Sequence, residues 1–255
     1  MDHLLKKSRA DLFQCEQFKT ASRPHQIFYL IICAFGLWHI ATNLFLNEPG
    51  FWQNAIHFAG FAACANLAHS CLPKQHQQKK WAWIIDIIIS TIIVLACLWV
   101  AANENDIYQR TLATTGQAWQ FNIVDWIAGL CVIFAAIDLT RRMTGWVIPI
   151  LVILSLSYIL FLGSISPGIF RTASLPVSDI LFRSLYNDEG MFGIITTISS
   201  TNITLFMIFG GFLVVSGASD FVIELSKIVA GKMRGGAAFV AILSSSLTGT
   251  ISGSA

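Results

Sequence analysis

Charged side chains are scarce: Asp, Glu, Lys and Arg make up 12% of the 255 residues, about half the share of an ordinary soluble domain. With 55% hydrophobic residues and a mean hydropathy of +0.66, the chain lacks the polar side chains to cover a water-facing surface, which excludes most soluble enzymes. Excess charge of one sign is missing too. Sixteen basic and fourteen acidic residues leave a formal charge of +2, and no basic stripe with interleaved aromatics occurs, so no nucleic-acid partner is expected. The six cysteines form no CxxC pair and no Cys/His metal spacing. Cys33, Cys64, Cys97 and Cys131 sit inside apolar runs, Cys71 at the end of one and Cys15 in the polar N-terminal segment, which speaks against a disulfide framework or a zinc site. GxGxxG, Walker A and GxSxG patterns are absent, and no acid, base and nucleophile constellation stands out, so neither an enzyme nor an organic cofactor is expected.

What is present is long apolar runs. About 20 helical residues cross a hydrocarbon core of about 30 Å, and six runs approach that length: about 27–46, 51–72, 81–102, 122–139, 146–163 and 192–216. The fold class is therefore all-α: a polytopic membrane protein with about six transmembrane helices. Residues 1–26 form a polar, basic segment too long and too acidic for the n-region of a signal peptide, so no cleaved signal is expected. Placing that segment in the cytoplasm puts thirteen basic residues on the inner side: Lys6, Lys7, Arg9, Lys19, Arg23, Lys74, Lys79, Lys80, Arg141, Arg142, Lys227, Lys232 and Arg234. The outer side then holds only Arg110, Arg171 and Arg183. Such asymmetry orients a multi-pass protein with its N-terminus inside. The eight tryptophans fall mostly near proposed span ends, as interfacial belts require.

Polar residues within the runs have plain explanations. Asp86, Asp125 and Asp138 lie near span ends, where a charge costs less than the roughly 2.5 to 3.5 kcal/mol expected at mid-bilayer. Arg141 and Arg142 stand at i+3 and i+4 from Asp138, a spacing that predicts a helical ion pair. A proton relay through Asp86 or Asp125 is the competing reading. His39, His57 and His69 lack the i,i+4 pairing of a metal-binding helix, and hydrogen bonding between or within helices accounts for them.

The C-terminal run AAFVAILSSSLTGTISGSA, residues 237–255, is the most informative. Its last twelve residues hold nine that are Ser, Thr or Gly. Two readings remain open. In one, the helix unwinds into a re-entrant tip at Thr250 to Ala255, whose bare backbone and hydroxyl groups hold an ion and a carboxylate; such backbone is tolerated at membrane depth only inside protein or a water cavity. In the other, Gly249 and Gly253 form a GxxxG packing face and the serines bond back to their own helix. Just before it, residues 218–231 set Asp220, Glu224 and Lys227 against Phe221, Val222, Leu225, Ile228 and Val229, which predicts an amphipathic interfacial helix.

Several clusters share a further property. Asp125-Trp126, Thr140-Arg141-Arg142 with Gly145-Trp146 and Pro149, Glu189 to Gly193, and Phe209 to Phe212 with Ser216-Gly217-Ala218 together resemble the fused permease of TRAP transporters. Gly231 with Arg234 to Ala237, and above all Thr248 to Ala255, complete the resemblance, which is strongest from residue 122 onward. It divides the chain into a cytoplasmic segment (1–26), helices similar to the family's small subunit (27–121) and the start of the large permease region (122–255). It implies a bacterial inner-membrane permease of the TAXI type that moves an organic carboxylate inward with sodium, the carboxylate being delivered by a periplasmic substrate-binding protein. Sodium would be the coupling ion, and Ser252, Gly253 and Ser254, with Thr250, would help build the sodium and substrate site. Members of the family continue through a second hairpin and further spans, so the resemblance implies that this chain needs the remaining permease helices, in cis or as a separate chain, besides its surrounding lipid, and does not transport by itself. A non-transporting membrane assembly subunit is the alternative.

Overall fold

The computed structural model describes residues 23–45, 50–72, 80–113, 119–166, 168–171, 175–231 and 235–252. Among these, every long element is a helix: α1 (Arg23–Leu44), α2 (Gly50–Ala68), α3 (Lys80–Ala102), α4 (Glu104–Ala113), α5 (Ile123–Thr144), α6 (Val147–Ser157), α7 (Gly163–Ile165), α8 (Val177–Leu185), α9 (Ile194–Ile198), α10 (Thr204–Val215), α11 (Ala218–Ala230) and α12 (Gly236–Ser252). Two π-helical turns, Tyr158–Leu162 and Ser199–Ile203, join α6 to α7 and α9 to α10, so each pair runs as one rod.

By length and composition, four rods in the described residues are long and apolar enough to cross a membrane: Trp81–Ala102, Ile123–Thr144, Val147–Ile165 and Ile194–Val215. These coincide with the third to sixth expected spans. The other two are less complete. The apolar stretch of α1 covers only Phe28–Leu44. In α2 the helix ends at Ala68, before the expected Leu72, and it buries Gln53, Asn54, His57 and Asn66 alongside its alanines. Polar groups lower its hydropathy because, as shown below, they bond to neighbouring elements. Two short helices went unforeseen, α4 and α8. Both are amphipathic and too short and polar to register as spans.

Breaks between rods follow from backbone chemistry. Gly145 (φ 85°) ends α5 while its N–H still reaches Arg141 O at 3.0 Å. Gly217 (φ 78°) separates α10 from α11. Left-handed φ of this kind is open to glycine at little cost and costs other residues about 1–2 kcal/mol.

The chain forms two compact units. One comprises residues 1–31 and 48–197; the other comprises 32–47 and 198–255. In the first, α2 packs along α3, and α5 packs against both. Ala55, Ala59 and Ala62 of α2, with Ala96, Cys97 and Val100 of α3 and Ala128 and Val132 of α5, make its core. Small side chains let backbones approach closely, which replaces the hydrophobic drive that lipid does not provide. In the second unit α11 and α12 form a helical pair and α10 packs on both.

Candidate functional site

The terminal run ends α12. Gly235 (φ 79°) starts the turn into this helix and accepts from Ala238 N–H at 2.9 Å. Gly236 follows because a Cβ there would stand 2.5 Å from Gly231 O, closer than atoms can come. This explains the adjacent glycines of the Arg-Gly-Gly-Ala cluster. From Gly236 the helix continues unbroken through Ser252. Of the two readings, the unwound tip from Thr250 is therefore corrected up to Ser252: Ser244 to Thr250 keep helical backbone, and Thr250 and Ser252 occupy the final turn. Ser244 Oγ donates back to Ala241 O at 3.2 Å, as a hydroxyl does when the helix persists. Gly253, Ser254 and Ala255 lie outside the described residues, as do the side chains of Thr250 and Ser252.

Three polar clamps in the first unit join elements whose pairing was not legible in the sequence. In the first, Asp125, 1% exposed, accepts from Trp99 Nε1 at 3.0 Å, Arg110 Nη2 at 2.9 Å and its own cap residue's N–H, Asn122, at 2.9 Å. It thus ties α3 and α4 to the start of α5. The same unit holds an aromatic group: Trp119 stacks on Phe182, Tyr108 meets both edge-on, and Tyr108 Oη donates to Tyr186 O at 3.4 Å. Burial raises the pKa of Glu104 and, with added acidic repulsion, those of Tyr108 and Tyr186, keeping these tyrosines neutral.

At the opposite end of α5, Asp138 pairs with Arg141 and Arg142 as their i+3 and i+4 spacing predicts. Arg142 does more than balance charge. Its Nη1 donates to Asn66 Oδ1 at 2.7 Å and to His69 O at 2.8 Å, at the end of α2. Asn66 in turn donates to Asp86 O (2.8 Å) and Ser90 Oγ (3.0 Å), and Ser70 Oγ donates to the Asp86 carboxylate at 2.9 Å. Asp86 is therefore a bonded carboxylate in a helix interface, and the proton-relay reading gains no support from its surroundings.

The third clamp fixes the Glu189–Gly193 cluster. Asn54 Nδ2 donates to Phe192 O at 2.8 Å and to Thr197 Oγ1 at 2.7 Å, holding the start of α9. The turn before it closes on itself through Met191 N to Ser184 O (2.7 Å) and Ile194 N to Asp188 O (2.8 Å). Of the histidines, His39 is fully buried with Nδ1 bonded to Phe35 O at 2.9 Å, an intrahelical contact. No group of three or more His, Cys, Asp or Glu able to hold a metal occurs among the described residues.

A chain whose described residues are helical, with four bilayer-length apolar rods and a buried carboxylate, Asp125, paired with Arg110 of another helix, is a polytopic membrane protein. Its second half carries a more particular signal: residues 130–255 match the family model for the DctM component of the tripartite ATP-independent periplasmic transporter. That match supports assignment to the TRAP transporter permeases, a transporter family rather than an enzyme class, whose members in general work with a periplasmic binding protein and other TRAP subunits. No curated protein and no solved structure matches the chain.

Proposed function

We propose that this permease component takes part in sodium-coupled uptake of an organic carboxylate across a bacterial inner membrane, with its N-terminus in the cytoplasm. The observation that carries this reading is the Thr248–Ala255 run at the end of an apolar helix inside the matched region. Beyond Ser252 the order Gly253-Ser254 supplies what an ion needs: a residue free of Cβ, flanked by hydroxyls. Ser252, Gly253 and Ser254, with Thr250, would contribute oxygen ligands to sodium and N–H groups to the carboxylate. The thirteen-to-three split of basic residues supports the orientation.

Uptake of labelled carboxylates by membranes holding the protein together with the remaining permease helices and its binding protein tests this. Uptake should require sodium and be lost in Ser252→Trp and Ser254→Trp variants that still reach the membrane. Wild-type uptake in both variants would refute the site, and sodium-independent uptake would refute the coupling. Binding-protein docking without any uptake would favour the assembly-subunit reading.

A further inference from the structure

The π-helical turn Ser199–Ile203 carries an anomaly and its own remedy. In an α-helix the N–H of Thr204 would bond to Ser200 O, four residues back. Instead it goes to Ser199 O, five residues back, and to Thr201 O. Thr204 Oγ1 also donates to Ser199 O, at 2.7 Å. Ser200 O has thereby lost its α-helical donor, at a residue with no solvent exposure, where a carbonyl left unsatisfied is costly. Asn43 of α1 supplies a substitute: its Nδ2 donates to Ser200 O at 3.2 Å and to His39 O at 2.7 Å. The carboxamide has two N–H donors, so one anchors it to α1 and the other reaches the π turn. Both Asn43 and the turn belong to the same compact unit, and the turn begins one residue after the chain enters that unit at Ile198.

We infer that Asn43 is a positioning residue that holds Ser199–Ile203 in π register, and that the transport cycle uses exchange between this register and an α-helical one. A π turn accommodates one extra residue. Tightening to α geometry returns the Ser200 carbonyl to Thr204 N–H, releases Asn43, and turns α10 by about 100°. Each residue of α10 then takes the direction its successor held. In the π register Ile208 lies toward α1, its Cδ1 3.9 Å from where a Cβ on Gly36 would stand, while Met207 is 73% exposed. In the α register Met207 faces Gly36 and Ile208 points outward. The exchange in transport rests on the function proposed above; the register itself does not.

The test is residue-resolved carbene footprinting of the protein in lipid nanodiscs, alongside sodium-dependent uptake. In the wild type Met207 is labelled strongly and Ile208 weakly. Asn43→Leu removes the donor and lowers the π-to-α ratio roughly fivefold, the equivalent of one net hydrogen bond, so label shifts from Met207 toward Ile208. Asn43→Gln keeps a donor and restores the wild-type pattern. Deleting Thr201 removes the extra residue, so α10 keeps its wild-type labelling in an α register that cannot exchange, and uptake falls at least tenfold. Unchanged labelling in Asn43→Leu overturns the positioning role. If Asn43→Leu fails to fold, the Thr201 deletion decides alone: a turned label pattern overturns the register assignment, and a wild-type pattern with wild-type uptake overturns the exchange. Loss of uptake in the wild type itself counts against the proposed function, not against the register.

Discussion

Replacing Asp125 by alanine should destabilise the protein far more than replacing its ion-pair partner Arg110. The carboxylate is 1% exposed and accepts three hydrogen bonds, two of them from neutral donors, Trp99 Nε1–H and the Asn122 N–H. Removing it strands those donors in the protein, at about 1–3 kcal/mol each, and the vacated volume adds to the cost. Arg110 is different because its side chain remains 29% exposed. Without Arg110, Asp125 keeps both neutral donors, and the lost ion pair is partly screened by solvent. The expected losses are therefore about 3–5 kcal/mol for Asp125→Ala and about 1–2 kcal/mol for Arg110→Ala. At roughly 2–4 °C per kcal/mol for a chain of this size, the two variants differ by several degrees in melting temperature. Thermal unfolding of detergent-purified protein, followed by tryptophan emission, measures this directly, and Trp99 itself reports on the site. The double variant should lose little more than Asp125→Ala alone, since the two deletions share one contact. Equal destabilisation by the two single changes would falsify the claim that neutral donors, rather than the ion pair, hold this carboxylate.

Other perturbations have equally defined outcomes. Gly193→Ala would place a Cβ 1.8 Å from Asp188 O, so the turn before α9 must open; the variant should fail to accumulate in membranes, and normal expression on immunoblots would contradict the close approach. Arg142→Ala leaves Asn66 Oδ1 and the His69 carbonyl without this donor and should cost about 3 kcal/mol, while Arg141→Ala, whose partner Asp138 is held by Arg142 as well, should cost under about 1 kcal/mol; unfolding midpoints in a denaturant series separate the two. Gly217→Ala forces a side chain into left-handed backbone between α10 and α11 and should lower stability by about 1–2 kcal/mol, whereas Gly210→Ala, in helical backbone with open space around its Cβ position, should be neutral or better.

The rods were legible because bilayer-spanning helices announce themselves by length: uninterrupted apolar runs placed α3, α5, the α6–α7 rod and the α9–α10 rod to within a few residues. Amphipathic periodicity likewise located α11, whose extent, Ala218–Ala230, is one residue shorter than expected. The Asp138 pair was readable because its partners lie within one helical turn. Pairings between helices were not. Nothing local in Asn54, Asn66 or Asp125 tells which element, tens of residues away, supplies the matching group, and so α2, read as the second apolar span, gave no sign of the polar contacts it makes with its neighbours. The terminal run shows the limit from the other side. Its composition is compatible with an open tip, yet serine and threonine can satisfy themselves on their own helix, and α12 persists through Ser252.

What the linear order of residues settled is the class of molecule, since transfer of apolar side chains into hydrocarbon depends on composition over about twenty positions and on little else. What only the folded chain decided is which polar group meets which: the donors of Asp125, the reach of Arg142 to α2, and the π register beside Asn43. Those choices depend on distances between helices, and a hydrogen bond lost over a single ångström is set by packing, which no local pattern encodes.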